Sequence, residues 1–333
     1  MIGSSQKAAK APIPIWNNVP SEAFRLDTLN AGSIGLVSAL SLVAAAYAGR
    51  WWTLERARAR RGADRLEPAS SVQSGRPRFT DVLLGFVTNF FDTLGIGSFA
   101  PTTAYFKLRA RMPDDEIPGT LNTGQALPTI TQALIFIATV SVDLTTLISM
   151  ILAAVLGAWF GVGFVVRLSR RAIQLGMGTA LLCAALLFLA SNLHWIPGGG
   201  EALGLIGTRL IVAVVANVLL GALMMLGVGL YAPCLILVSL LGMSPLAAFP
   251  IMMGSCGLLM PIGGARFVRS GRYNLGAALG LALGGIPGVL VAAYIVKSLP
   301  IVWLRWLVLV VVVYAALQML RSAAQSARGD ARI

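Results

Sequence analysis

The chain has 333 residues, of which 57% are hydrophobic and 12% charged, with a formal net charge of +13. A soluble globular domain carries about a quarter charged residues, so the composition excludes that class and points to a polytopic membrane protein. The basic residues cluster in short segments beside apolar runs, which makes them membrane loops rather than a nucleic-acid surface.

Residues 1–30 show no charged-then-apolar signal pattern with a small-residue cleavage site behind it. The apolar segment Ser33 to Gly49 is expected to be a retained transmembrane helix. It runs into "RWWTLERARARR", an interfacial tryptophan pair followed by a basic run, which sets its C-terminal end in the cytoplasm. After an Arg-, Ser- and Pro-rich linker from Arg50 to Arg78 come apolar stretches at Val82–Phe106, Ile117–Val142, Leu144–Val166, Ala172–Leu193, Leu203–Leu241, Leu246–Ile262, Leu275–Val296 and Val302–Leu320.

Arg76 and Arg78 precede the first of these stretches and Lys107, Arg109 and Arg111 follow it, so both of its ends are expected in the cytoplasm. It is too short for two crossings of about 20 residues each. A hairpin of two half-helices, with its apex near Gly95 and Gly97, is the expected solution. The chain then crosses out, returns at "RLSRR" (Arg167 to Arg171) and crosses out again to "NLHWIPGGGE". The charge-free run from Leu210 to Ala265 would measure about 80 Å as one helix, so it must turn back. Its expected turn is at Gly227 and Gly229, ending outside; a crossing inward meets "ARFVRSGR", whose Arg266, Arg269 and Arg272 belong in the cytoplasm. Two further crossings leave the C-terminus in the cytoplasm.

The second half repeats the first. "LGIGSFAP" (Leu94 to Pro101) returns as "LGVGLYAP" (Leu226 to Pro233) at an offset of 132 (233 − 101), and Pro128 returns as Pro261 at 133 (261 − 128). Between them "NTGQALP" matches "GSCGLLMP". Each half holds a hairpin plus three crossings, an odd number of side changes, so the halves are inverted. The expected fold is therefore all-α: a polytopic membrane transporter of two inverted repeats, each a broken-helix hairpin plus three transmembrane helices, preceded by one extra N-terminal helix. The expected units are 1–78, 79–200 and 201–321, with a tail at 322–333.

Glycine frees φ and proline removes a donor, so each repeated phrase should break its helix. The bared amides are tolerated only beside protein or a watery cavity, and with the positive end of the next half-helix they favour an anion. Candidate substrate contacts are thus Gly95, Gly97 and Ser98 in one phrase and Gly227, Gly229 and Tyr231 in the other. The second blocks, each expected to interrupt its helix before the proline, add Asn122, Thr123, Gly124 and Gln125, and Ser255, Cys256 and Gly257. The competing reading makes the glycines close-packing sites and the polar groups interhelical hydrogen-bond partners. Asp92, the sole acid within the first hairpin, serves either ion coupling or capping of the second half-helix; its counterpart is Met224, so the charge is not duplicated. Arg209 is expected to snorkel to the surface, and Asn89 and Asn217 to be satisfied within the bundle. Cys183, Cys234 and Cys256 are spaced as packing residues, with neither a disulfide framework nor a metal site; no metal and no cofactor are expected.

The phrases "GFVTNFFDTLGIGSFAP" and "GALMMLGVGLYAP", followed by "NTGQALP" and "GSCGLLMP", resemble the TauE/SafE sulfite exporter family, also called the toluene sulfonate uptake permease family. The likeness spans about Arg78 to Leu320, and the N-terminal helix and linker look like additions to it. Ser98 and Phe99 stand where family members often carry a denser glycine run. The resemblance implies a permease or exporter for sulfite, thiosulfate or organosulfonates in the bilayer of a bacterial inner membrane, with a small sulfur anion as substrate and a proton or cation gradient in place of ATP. An anion channel is the alternative, an intramembrane enzyme a more distant one: the sole histidine, His194, falls in an outer loop, and no Gly-x-Ser-x-Gly, HExxH or Walker A sequence occurs.

Overall fold

The computed structural model describes residues 31–64, 76–95, 97–113, 116–160, 200–225 and 229–298, with individual residues between 175 and 193 and between 306 and 324. The basic turn Arg167 to Arg171, His194 and Gly227 lie outside the described residues. Among those described, apart from one isolated bridge between Ala202 and Met243, all regular structure is helical. The helices are α1 Ala31–Asp64, α2 Phe79–Thr93, α3 Phe99–Leu108, α4 Ile117–Gly124, α5 Ala126–Thr139, α6 Leu144–Phe160, α7 Gly207–Met225, α8 Tyr231–Leu240, α9 Ala248–Ser270 and α10 Leu275–Ser298, with a 3-10 turn at Pro245–Ala247.

Local chemistry sets several of these limits. Asp143 starts α6, its carboxylate accepting the Thr146 amide at 2.8 Å, and Asn274 starts α10 by accepting the Ala277 amide at 3.0 Å. Gly271, at φ 75°, ends α9 in the left-handed conformation and donates to the Phe267 carbonyl. The expected interruption at the second blocks occurs in one half only. The chain steps from α4 to α5 at Gln125, leaving Pro128 in the first turn of α5, where its missing donor is harmless. In the other half α9 runs without a break through Pro261. That helix is buried along most of its length against α1, α4, α5, α6, α7 and α8, and this packing tolerates the single bond that proline removes.

The two halves exchange partners. The long hairpin arm α2 lies along α10, while the corresponding arm α7 lies along α6, and α5 pairs with α9 between them. Both crossings rely on missing side chains: a Cβ at Gly284 would overlap the Val82 carbonyl, and one at Gly157 would overlap the Val218 carbonyl. Phe136 stacks on Phe249 where α5 meets α9, with ring centroids 5.2 Å apart.

Outward faces are apolar at helical spacing. Ile148, Leu152, Leu156 and Phe160 line α6, and Ile211, Val215 and Leu219 line α7, all of them exposed. Among the described residues, four helical segments, Ala31–Ala57, Gly207–Met224, Pro245–Ser270 and Leu275–Ile295, are long and apolar enough to cross a membrane. Exposed apolar stripes of this extent require lipid rather than water, and the protein is an integral membrane protein.

The connections fall into two contact sets. In one, Arg111 reaches Asp81 at 2.8 Å, the Asn274 amide donates to Thr120, and Trp51 donates to Tyr273, which donates to Glu55. In the other, the Asp143 amide donates to the Leu203 carbonyl, the Leu205 amide to Thr146, and the Ser244 amide to the Ala202 carbonyl. The 23 residues of α9 separate the sets by about 34 Å. Arg109, Arg111, Arg266, Arg269 and Arg272 belong to the first set or adjoin it.

Candidate functional site

The helix break expected in the first repeated phrase is present. Helix α2 stops at Thr93, Gly95 takes φ 94° and Gly97 φ 85°, and α3 starts at Phe99. Both angles lie where a side chain is strained, which explains glycine at each. The start of α2 and the end of α3 lie side by side, because the buried Asp81 carboxylate accepts Nη2 of Arg111 at 2.8 Å and Nε at 3.3 Å. The segment is therefore a hairpin about 22 Å and 15 Å in its two arms. The second phrase also separates two helices, α7 ending at Met225 and α8 starting at Tyr231. Its base is closed by Arg209, whose Nη1 donates to the Leu241 carbonyl at 3.4 Å. Arg209 is exposed, as a snorkelling residue would be. Gly229 sits in that break with nothing within 4 Å of an added Cβ.

Asp92 caps the second half-helix. Its Oδ1 accepts the Ser98 amide at 2.5 Å and its Oδ2 accepts Nε2 of Gln132 at 2.9 Å. The same Nε2 lies 3.0 Å from the Thr93 hydroxyl, and Oε1 of Gln132 accepts the Tyr231 hydroxyl at 2.7 Å. One side chain of α5 thus holds the break of the first half and the helix start at the break of the second. Asp92 is 4% exposed, Gln132 0% and Tyr231 6%. A carboxylate stripped of water to that degree needs such donors. Sequence reasoning found Asp92, Ser98 and Tyr231 but missed Gln132 and Thr93. A lone amide one turn after Pro128 in the run "PTITQALIFI" was the available signal.

The second blocks flank this chain. Asn89 donates to Oε1 of Gln125 at 2.6 Å and to the Gly85 carbonyl, and Asn217 donates to Ser255 at 3.4 Å and to the Met150 carbonyl at 2.6 Å. Each first-arm asparagine is thereby tied to the second block of its own half. Both keep a buried oxygen without a partner, as do Asn122 and Thr123, while Gln125 keeps an unpartnered Nε2. The expectation that Asn89 and Asn217 are satisfied within the bundle thus holds for their nitrogens but not their oxygens. Cys256 donates to the Met224 sulfur at 3.3 Å. Gly124 and Gly257 are close-packing positions, an added Cβ lying 2.8 Å from the Ala278 carbonyl at the first and 3.0 Å from Ala133 at the second.

Helix α1 also reaches the site. The Tyr47 hydroxyl donates to the Thr123 carbonyl at 3.1 Å, in the space left by the missing side chain of Gly264. Trp51, expected as an interfacial anchor, is buried and donates to Tyr273, whereas Trp52 is exposed.

A helical, lipid-facing chain with a broken hairpin in each half and a buried polar centre between the breaks belongs to the class of polytopic, all-α membrane proteins. Residues 23–188 match the family model described as Sulfite exporter TauE/SafE, and over that region the chain belongs to the TauE/SafE family. The match begins upstream of α1, so the N-terminal helix and linker are part of it rather than additions, and it stops before the second repeated phrase. No curated protein and no solved structure matches the chain.

Proposed function

We propose that the protein is a secondary transporter of small sulfur-containing anions, of the sulfite, thiosulfate or organosulfonate type, working from an ion gradient. The observation that carries this reading is the convergence of Asp92 and Thr93, from the first break, and Tyr231, from the second, on the single buried side chain of Gln132. Membership of a sulfite exporter family supports the substrate class. The Asp92 carboxylate supports the site: a negative oxygen already rests on the amide at the start of α3. The substrate lies between the breaks, beside Gly95, Gly97 and Ser98 on one side and Gly227, Gly229 and Tyr231 on the other, with Asn122, Thr123, Gln125 and Ser255 around it, and it takes the Ser98 amide as Asp92 gives it up. Asp92 is the coupling group.

The two halves act as inverted repeats, and the two contact sets support this: the first hairpin is closed by Asp81 and Arg111 in one set, the second by Arg209 and Leu241 beside the other. The arginine-rich set faces the cytoplasm, together with the C-terminus.

Proteoliposomes preloaded with unlabelled sulfite, then given labelled sulfite outside, test the proposal. Saturable counterflow, inhibited by thiosulfate or a small sulfonate, is the expected result. Flux that rises linearly without counterflow contradicts a carrier, and failure of every anion in the panel contradicts the substrate class.

A further inference from the structure

The break-to-break chain has one member that touches both halves. Gln132 is fully buried in α5, spends its amide nitrogen on Asp92 and Thr93 of the first hairpin, and spends its amide oxygen on Tyr231 of the second. An amide is suited to this position because it presents a donor to a carboxylate and an acceptor to a hydroxyl at the same time. Leucine does neither, and an ionised glutamate only accepts.

We propose that Gln132 is the positioning residue that couples the two hairpins: it holds their breaks together in the closed state, and the hairpins separate only when one of its bonds to Asp92 or Tyr231 is given up. This inference deepens the transport reading above and rests on it for its purpose, but its geometry is independent of which anion is carried. Separation would uncover the region beside the second break, where Cys256, 0% exposed, donates to the Met224 sulfur just before the break. Cys256 is thus a built-in reporter of the state of the hairpins.

The test uses the full chain in membranes, with Cys183→Ser and Cys234→Ser leaving Cys256 as the sole thiol. Its rate of reaction with a small methanethiosulfonate is measured without substrate, and the KM and maximal rate of sulfite counterflow are measured in parallel. Tyr231→Phe keeps the ring and removes one donor, leaving the Gln132 oxygen unpartnered; Gln132→Leu removes both links. Losing a buried hydrogen bond shifts a two-state equilibrium by about tenfold, so Cys256 should react about tenfold faster in Tyr231→Phe and faster still in Gln132→Leu. The maximal rate should change more than KM. Reaction at the wild-type rate in Tyr231→Phe overturns the coupling role, whatever becomes of transport. Faster reaction in a protein that carries none of the anions upholds the coupling role and defeats the substrate reading instead.

Discussion

Replacing Asp92 separates its capping duty from its charge. In Asp92→Ala the Ser98 amide loses its acceptor, a change that costs about 0.5–2 kcal/mol at a helix N-terminus. The Gln132 amide loses one of its two acceptors but keeps Thr93, a smaller loss of about 1 kcal/mol. Asp92→Ala should therefore destabilise by roughly 1–3 kcal/mol. Asp92→Asn behaves differently. Its amide oxygen can still accept the Ser98 amide, and its new amide nitrogen can donate to Gln132 if the Gln132 amide turns over. The Tyr231 hydroxyl then accepts instead of donating, because a phenol does either. The reversal gives up the Gln132 bond to the Thr93 hydroxyl, whose proton already goes to the Asn89 carbonyl, but it keeps the cap on Ser98, so Asp92→Asn should cost about 1 kcal/mol, less than Asp92→Ala. Thermal unfolding in detergent should place Asp92→Ala several degrees below Asp92→Asn. Sulfite counterflow measured across a pH series should then vary with pH in wild type and not in the stable Asp92→Asn variant. Equal unfolding temperatures for the two variants would refute the capping geometry, and an unchanged pH profile in Asp92→Asn would remove Asp92 from coupling.

Three further outcomes follow from packing and backbone geometry. Gly97 takes φ 85° with nothing within 4 Å of an added Cβ, so Gly97→Ala isolates backbone strain and should cost about 1–2 kcal/mol, while Gly229→Ala, without a positive φ, should be near neutral in thermal unfolding. Asp81→Ala leaves a nearly buried Arg111 guanidinium without its carboxylate and should cost about 3 kcal/mol or more, whereas Arg209→Ala at the exposed base of the other hairpin should cost under about 1 kcal/mol by the same measurement. Gly284→Leu drives a side chain into the Val82 carbonyl and should abolish monodisperse folding on size-exclusion chromatography, while Gly35→Leu, with open space around it, should leave the elution profile unchanged.

The breaks were legible in the sequence because left-handed backbone at Gly95 and Gly97 has a residue-specific cost that only glycine escapes. The closed base of the first hairpin was legible from the basic residues at both of its ends. Other features depend on what lies across the interface. Gln132 is one polar residue in an apolar helix, and its meaning arises only when Asp92 and Tyr231 approach from separate segments. Pro261 and Pro128 read alike in the two blocks, yet only the segment before Pro128 breaks, at Gln125, whose side chain is held by Asn89 of the first hairpin arm. Trp51 and Trp52 are adjacent, and which one faces protein is set by the angle at which α1 meets Tyr273. The packing of Gly124 and Gly257 could not be separated from a ligand role by spacing alone, because both require a missing side chain.

The proposed transport requires two hairpins that enter the membrane from opposite faces. Single cysteines placed in a cysteine-free chain at Arg109→Cys, at the exposed end of the first hairpin, and Glu201→Cys, exposed beside the strand bridge near the base of the second, report this directly. In sealed vesicles of known orientation, a membrane-impermeant maleimide should reach Arg109→Cys only from the cytoplasmic face and Glu201→Cys only from the opposite face. Labelling of both positions from the same face would contradict it.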